Sequence, residues 1–407
     1  MRVEGGAFSS RLLAGSGDAG VRARVLGVLR WLKTLDAVIE PLCRRSLVSL
    51  DPEVRTALRL GLFEAMHLDR PPPLATDGAV RLVRRLGRSS ASGMVNAVLR
   101  RATVGWREAL ADAEIDVRLA HPRWLYERWR QNFGADAAEQ SLAAAQDPAT
   151  TWVWFRRDNS RELLRKDGVT LSAHPWCPGA WTTPSKPGRL IEEVVAGNAY
   201  AQDPSSQLVA HVARALALNA ESCLDLCAAP GGKTALLMHL RKWTAAAAMD
   251  IQLTRARLMR PLLAGVDGSF VVAADAEKAP FHAGAWDLVL LDAPCTGTGT
   301  FRRHPELKWR LRPEVVKEMA ARQRRLLDSG LGLMVTGGTL LYSTCSVEPE
   351  ENEGVVADLP TGFEHVEIAD SLPENVPFRS TPAKGARIMP GRDGDGFTMH
   401  AIRRSGV

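Results

Sequence analysis

From Asn198 onward, short apolar segments alternate with helical patterns, and this alternation limits the possible folds more than any other feature of the chain. Cys223–Cys227, Thr244–Met249, Phe270–Ala274, Trp286–Leu291 and Thr339–Ser343 read as strands, with a helix over Lys233–Lys242 between the first two. Strands joined through helices predict an α/β domain with a parallel, doubly wound, Rossmann-like sheet whose ligand sits beyond the strand C-terminal ends. We place this domain at residues 198–407.

Two smaller modules precede it. From Val21 to Ala102 the apolar residues recur at three and four, as in Val25, Leu26, Val28, Leu29, Leu32 and Leu35, then Val54, Leu58, Leu62 and Met66, which predicts an all-α module over residues 1–118. The run Pro71–Pro73 interrupts it, and helices resume from Ala79 to Arg101 with a break near Gly87–Ser90. Residues 119–197 set Trp124, Trp129, Trp152, Trp154, Trp176 and Trp181 among short segments and turns such as Pro184–Gly188, which reads as a small α+β connector. Tryptophans interleaved with arginines can stack on unpaired bases, although six in a small domain usually form core.

Charge is unevenly distributed. The chain carries 52 Lys+Arg and 46 Asp+Glu, a net +6, and residues 1–120 hold 19 basic and 13 acidic residues, leaving 33 of each for the rest. The whole excess therefore lies in the helical module, as suits a polyanionic partner. Arg81, Arg84, Arg85, Arg88, Arg100 and Arg101 could track a phosphate backbone, or form a solvated face. No apolar run is long enough to cross a bilayer, and Met1–Gly6 lacks the pattern of a secretion signal, so the expected compartment is the cytoplasm. Six cysteines without a C-x-x-C pair exclude a disulfide scaffold and argue against zinc; no metal is expected.

Three features carry chemistry. The segment Asp225-Leu226-Cys227-Ala228-Ala229-Pro230-Gly231-Gly232-Lys233-Thr234 joins the first strand to a helix, where small residues let a ligand approach the backbone and the helix N-terminus offers free N–H groups. It approximates a P-loop, but Cys227 stands where the first glycine belongs and Pro230 removes a backbone donor, which counts against an ATPase. Acids end the next three strands: Asp250, Asp275 and Asp292. One such acid is as often a helix cap, whereas three in register suit a nucleoside ligand. Cys295, in Asp292-Ala293-Pro294-Cys295-Thr296-Gly297, and Cys345, in Ser343-Thr344-Cys345-Ser346, both fall at strand ends. Cys43, Cys177 and Cys223 read as small buried hydrophobes.

Taken together, these blocks resemble the RNA 5-methylcytosine methyltransferases, and within them the bacterial small-subunit ribosomal RNA branch of Sun/Fmu type. Phe301–Trp309, Pro349-Glu350-Glu351-Asn352-Glu353 and Tyr200–Gln207 extend the likeness, and the helical module resembles the NusB-like RNA-binding domain of that branch. The resemblance implies S-adenosylmethionine as cofactor, held by Cys227, Ala228, Ala229, Pro230, Gly231, Gly232, Lys233, Asp250, Asp275 and Asp292. It implies Cys345 as the nucleophile, Cys295 as the residue assisting product release, and Lys233 and Asp292 against the target base. Carbon 5 of cytosine is too weak a nucleophile to take a sulfonium methyl until a thiolate adds at carbon 6, which is why a cysteine is needed. Asp292 could protonate the ring nitrogen if burial raised its pKa. The implied partner is 16S ribosomal RNA rather than DNA or a membrane, with the protein acting as a monomer.

Two departures stand out. The family usually has another helix before the Val3–Phe8 segment, and Asp395-Gly396-Phe397-Thr398 replaces the usual Asp-Gly-Phe-Phe. The rival reading is a catalytically inactive RNA-binding ribosome assembly factor, against which the two strand-end thiols argue.

Overall fold

Asp18 starts the first long helix by accepting hydrogen bonds from the backbone N–H groups of Gly20 at 2.7 Å and Val21 at 3.1 Å, and helix Ala19–Arg30 follows. In the computed structural model, which describes residues 3, 7–13, 18–157, 159–184, 186–264 and 266–406, the chain divides into two compact units. Met1–Gly6 apart from Val3, and Ser185 of the Pro184–Gly188 turn, lie outside the described residues.

The first unit comprises residues 1–148 and 301–310. Helices Leu32–Ile39, Pro52–His67, Pro72–Arg85 and Ser92–Ala109 bury Leu35, Ile39, Leu58, Leu62, Val83 and Leu99 against one another. Proline fits the first helical turn, where its missing N–H has no partner to lose. The Pro71–Pro73 run consequently opens a helix at Pro72 instead of delaying one to Ala79. Helices Arg123–Phe133 and Ala135–Ala144 also belong here.

Segment 301–310 is built into the same unit. Phe301 stacks on Trp129 with ring centroids 6.0 Å apart. Lys308 Nζ donates to the Arg30 carbonyl at 2.9 Å and Trp309 Nε1 to the Leu29 carbonyl at 2.6 Å, satisfying last-turn acceptors of helix Ala19–Arg30. Within the arginine cluster, Arg81 pairs with Asp77 at 2.7 Å, Arg84 donates to Ser92 at 3.2 Å and Arg88 lies 3.4 Å from Glu53, while Arg85, Arg100 and Arg101 are exposed.

The second unit comprises residues 149–300 and 311–407. Its first part is a small antiparallel sheet of β1 (Val153–Phe155), β2 (Ser172–Ala173), β3 (Trp181–Thr182) and β4 (Ala199–Ala201), in the order β2-β3-β1-β4. None of the six tryptophans between 124 and 181 is exposed, which favours core over base stacking.

The main sheet holds β5 (Ser222–Asp225), β6 (Ala245–Asp250), β7 (Ser269–Ala273), β8 (Trp286–Asp292) and β9 (Met334–Thr344), all parallel. Leu224, Val289 and Leu340 pack on one face and Cys223, Leu290 and Leu341 on the other, so the central strands are apolar on both sides. The wholly parallel expectation needs correction at one edge. β10 (Phe363–Val366), β11 (Phe378–Thr381), β12 (Gly385–Ile388) and β13 (Phe397–Arg404) pair antiparallel, β13 directly against β9, giving a mixed sheet in the order β11-β12-β13-β9-β8-β5-β6-β7. Strand order reverses between β5 and β8, and the crevice at such a reversal is where ligands bind.

Candidate active site

At the tip of β5 the chain turns through 226–231 into helix Gly232–Leu240. Gly231 has φ +104°, a conformation that a side chain would strain. A Cβ on Gly231 would lie 3.1 Å from Met259 Cγ, and one on Gly232 would lie 2.6 Å from Tyr200 Cε1. Local packing therefore requires glycine at both positions. The N–H groups of Ala228 and Gly231 donate to the carbonyls of Met249 and Ala228, at 2.8 and 2.7 Å. A phosphate cradle needs such amides free, so the P-loop reading loses further ground.

Asp250 ends β6, buried, with one oxygen accepting from the Gln252 N–H at 2.9 Å and the other 3.3 Å from Arg255. Asp275 is exposed two residues after β7 and accepts from the Glu277 N–H at 3.0 Å, capping the short turn Ala276–Lys278. These carboxylates, beside a helix N-terminus, fit the diol and polar edge of a nucleoside, which donate hydrogen bonds. Cys227, Ala228, Ala229 and Pro230 form the intervening turn, with Arg255 Nη2 donating to the Ala229 carbonyl at 2.7 Å. Burial pushes the Cys227 thiol up, helped by the charges of Asp225, Asp292 and Asp250. Burial likewise raises the Asp225 carboxyl to about 7 despite a hydrogen bond of 2.6 Å from Thr234.

Asp292, at the tip of β8, accepts from Lys233 Nζ at 2.8 Å through one oxygen and from Ser343 Oγ at 2.9 Å through the other. Burial works against the Lys233 ammonium, but the charge and hydrogen bond of Asp292, with Cys345 and Asp225 adding, hold its pKa above the ordinary lysine value. Asp292, read from the sequence as a donor to the ring nitrogen if burial raised its pKa, is paired with Lys233. The Lys233 ammonium also sits 5.1 Å from the Phe397 ring centroid.

Cys295 and Cys345 come together with Sγ atoms 3.3 Å apart. Strand pairing explains this, because β8 and β9 are parallel neighbours with Asp292 opposite Ser343, and each cysteine follows its tip by a few residues. The hydrogen bond to Cys345, then burial and the nearby charges of Cys345, Glu351 and Asp292, push the Cys295 thiol well up. Close backbone contacts fix both loops: the Gly299 N–H donates to the Cys345 carbonyl at 2.9 Å, and the Gly396 N–H donates to the Gly299 carbonyl at 2.8 Å. Thr398, the departure from the family pattern, is buried and donates to the Ser346 carbonyl at 3.0 Å. The other cysteines are free: Cys177 and Cys223 are buried and Cys43 half-buried. Sequence reasoning missed the side chains that brace the two loops, Thr296, Gln323, Ser346 and Glu351; only the Pro349–Glu353 block hinted at them.

Comparison with known proteins finds relatives of this chain along most of its length. The family described as 16S rRNA methyltransferase RsmB/F matches residues 213–403, and the NusB family matches residues 7–103. The ribosomal RNA small subunit methyltransferase B of Sodalis glossinidius is 33% identical over 344 residues, 81% of this chain and 78% of that protein. Its counterpart in Klebsiella pneumoniae subsp. pneumoniae is 32% identical over 389 residues, 91% of this chain and 86% of that one. Among solved structures, the crystal structure of PH0851 superposes with a TM-score of 0.76 at 24% identity, covering 96% of this chain and 91% of that chain, and so shares the fold.

Proposed function

This chain belongs to the 16S rRNA methyltransferase RsmB/F family, and from that premise we propose that it methylates carbon 5 of a cytosine in 16S ribosomal RNA through a covalent bond between Cys345 and carbon 6. It is an rRNA methyltransferase that uses S-adenosylmethionine, which supplies a methyl group on a positively charged sulfur. One observation carries the cytosine-5 reading: two thiols lie 3.3 Å apart beside the Lys233–Asp292 pair, at the C-terminal tips of adjacent strands. A methyltransferase acting on an amine or hydroxyl needs no thiol at all, whereas carbon 5 of a pyrimidine needs one to attack and benefits from a second.

The division of labour follows from the surroundings. Cys345 stands directly after β9, 3.3 Å from the Cys295 sulfur and beside the Lys233–Asp292 pair, and it attacks as the thiolate, the nucleophilic form of a cysteine. That thiolate bonds to carbon 6, and the electron pair displaced from the ring takes a proton at N3 from Lys233, held in place by Asp292. Carbon 5 is then nucleophilic. After methylation the N3 proton returns to the Lys233 amine, a solvent base takes the carbon 5 proton, and the electron pair left on carbon 5 forms the ring double bond and expels the Cys345 sulfur from carbon 6. Cys295 is held as a thiol and can protonate the departing Cys345 sulfur. Asp250, Asp275 and the 227–233 turn hold the cofactor.

A ribosomal RNA substrate supports a cytoplasmic protein, and we take it to act there as a monomer. No helix among the described residues is long and apolar enough to cross a membrane. Labelled S-adenosylmethionine and unmodified 16S RNA test the reaction. Label should appear at cytosine carbon 5, Cys345→Ala should abolish turnover, and Cys295→Ala should accumulate a protein–RNA adduct. Full turnover by Cys345→Ala would remove the mechanism.

A further inference from the structure

Two loops must meet for the thiols to stand 3.3 Å apart, and besides the Gly299–Cys345 backbone bond and the Thr298–Ser346 hydroxyl contact they are joined by one buried carboxylate beside the thiols. Glu351 follows β9, in the short turn Pro349–Glu351. One carboxylate oxygen accepts from the Thr296 N–H at 2.8 Å and from Gln323 Nε2 at 3.1 Å. The other accepts from the hydroxyls of Thr296 and Ser346. Thr296 directly follows Cys295 and Ser346 directly follows Cys345, so one carboxylate ties the residue after each thiol.

The brace reaches further. Gln323, in helix Pro313–Leu333, donates both to Glu351 and to the carbonyl of Pro294, the residue before Cys295, at 2.9 Å. Tyr342, inside β9, donates to the Glu351 backbone carbonyl at 2.6 Å. Asn352 accepts from Thr344 Oγ1 at 2.7 Å and donates to the Ser346 carbonyl at 3.1 Å, fixing the other flank of Cys345. All four partners of the Glu351 side chain are donors, which is the satisfaction a buried carboxylate requires.

We propose that Glu351 is the positioning residue that sets the distance between the two active-site thiols. Its carboxylate bonds to neither sulfur and acts through the residues after them. The proposal deepens the cysteine-based reading above and rests on it for its catalytic consequence, but the geometric claim stands apart.

Oxidative coupling tests it without RNA or cofactor. One thiol adds to diamide and the second sulfur then displaces the hydrazine, so that the pair loses two electrons and two protons and a Cys295–Cys345 disulfide remains; at saturating diamide the second step is read, at a rate set by how often the sulfurs meet. In the full-length protein this coupling should slow about tenfold or more in Glu351→Gln and Glu351→Ala, and by a smaller factor in Ser346→Ala, which removes one donor and keeps the carboxylate. Displacement of a reacting group by about 1 Å can cost on the order of 100-fold in rate. Accordingly, kcat should fall by about that factor in Glu351→Ala while the KM for S-adenosylmethionine stays within about twofold, a split that general destabilisation would not produce. If all three variants couple their thiols as fast as the unaltered protein, the proposal is overturned, whatever their methylation rates. Slowed coupling in a protein that does not methylate carbon 5 supports the brace and refutes the cytosine-5 reading.

Discussion

Gly299→Ala probes the junction of the catalytic loops most sharply. An added Cβ would lie 2.1 Å from the Gly396 carbonyl oxygen and 2.8 Å from the Cys345 carbonyl oxygen, both backbone atoms that cannot rotate away. Relief requires the 297–300 turn to separate from both strands, which breaks the Gly299–Cys345 and Gly396–Gly299 hydrogen bonds. Overpacking a close-packed site costs roughly 1–3 kcal/mol. Two buried hydrogen bonds add about 1 kcal/mol each. We therefore expect a loss of about 3–5 kcal/mol, read from the urea midpoint at constant slope. Because the clash falls on the carbonyl of Cys345 itself, methyl transfer should drop by more than the lost stability explains, measured well below the unfolding transition. A variant within about 1 kcal/mol of the unaltered protein, with normal turnover, would show that the two loops are not in contact at Gly299.

Two further perturbations test buried charges. The Asp225 carboxyl, pushed up to about 7 in the fold from an unfolded value near 4, favours the folded state while protonated, so its contribution is full below about pH 4 and is lost as pH rises through about 7. Asp225→Asn should flatten stability between those values, and an unchanged slope in urea titrations at pH 5 and pH 8 would count against the assignment. Lys308 is fully buried with no ion pair to an acid among the described residues, and burial, with Arg30 adding, lowers its pKa well below the ordinary lysine value. A lowered lysine costs stability at neutral pH, so Lys308→Met should leave the urea midpoint at pH 7 unchanged or raise it, despite the lost bond to Arg30; a fall of more than about 2 kcal/mol would contradict this.

The parallel strands were legible because each is a short apolar run, the central ones β5, β6 and β8 buried on both faces, and their boundaries were read to within a residue or two at β5 to β8. Asp250, Asp292, Cys295 and Cys345 could be recognised because they close those runs. The antiparallel edge was not legible as a unit. β10, β11 and β12 have four residues each, and what makes them strands is pairing with β13 and with one another. Helix Arg123–Phe133 was obscured by its aromatics: Leu125, Tyr126 and Trp129 form its buried stripe, but Trp beside Arg also reads as a surface for bases. That Gly231 and Gly232 also answer to packing by Met259, Leu262 and Tyr200 was not legible, because no local pattern announces the approach of those residues. Glu351 was invisible for the same reason, because its partners Thr296 and Gln323 lie 55 and 28 residues away in sequence.

The covalent bond itself is the central claim, and RNA carrying 5-fluorocytosine at the methylated position tests it directly. Fluorine at carbon 5 cannot leave as the proton does, so methylation stalls with the nucleophile still attached. Digestion and mass spectrometry of the trapped complex should place the nucleotide on the peptide containing Cys345, and no adduct should form in Cys345→Ala. Attachment to Cys295, or methylation of ordinary cytosine at carbon 5 with no trappable adduct, would contradict the account.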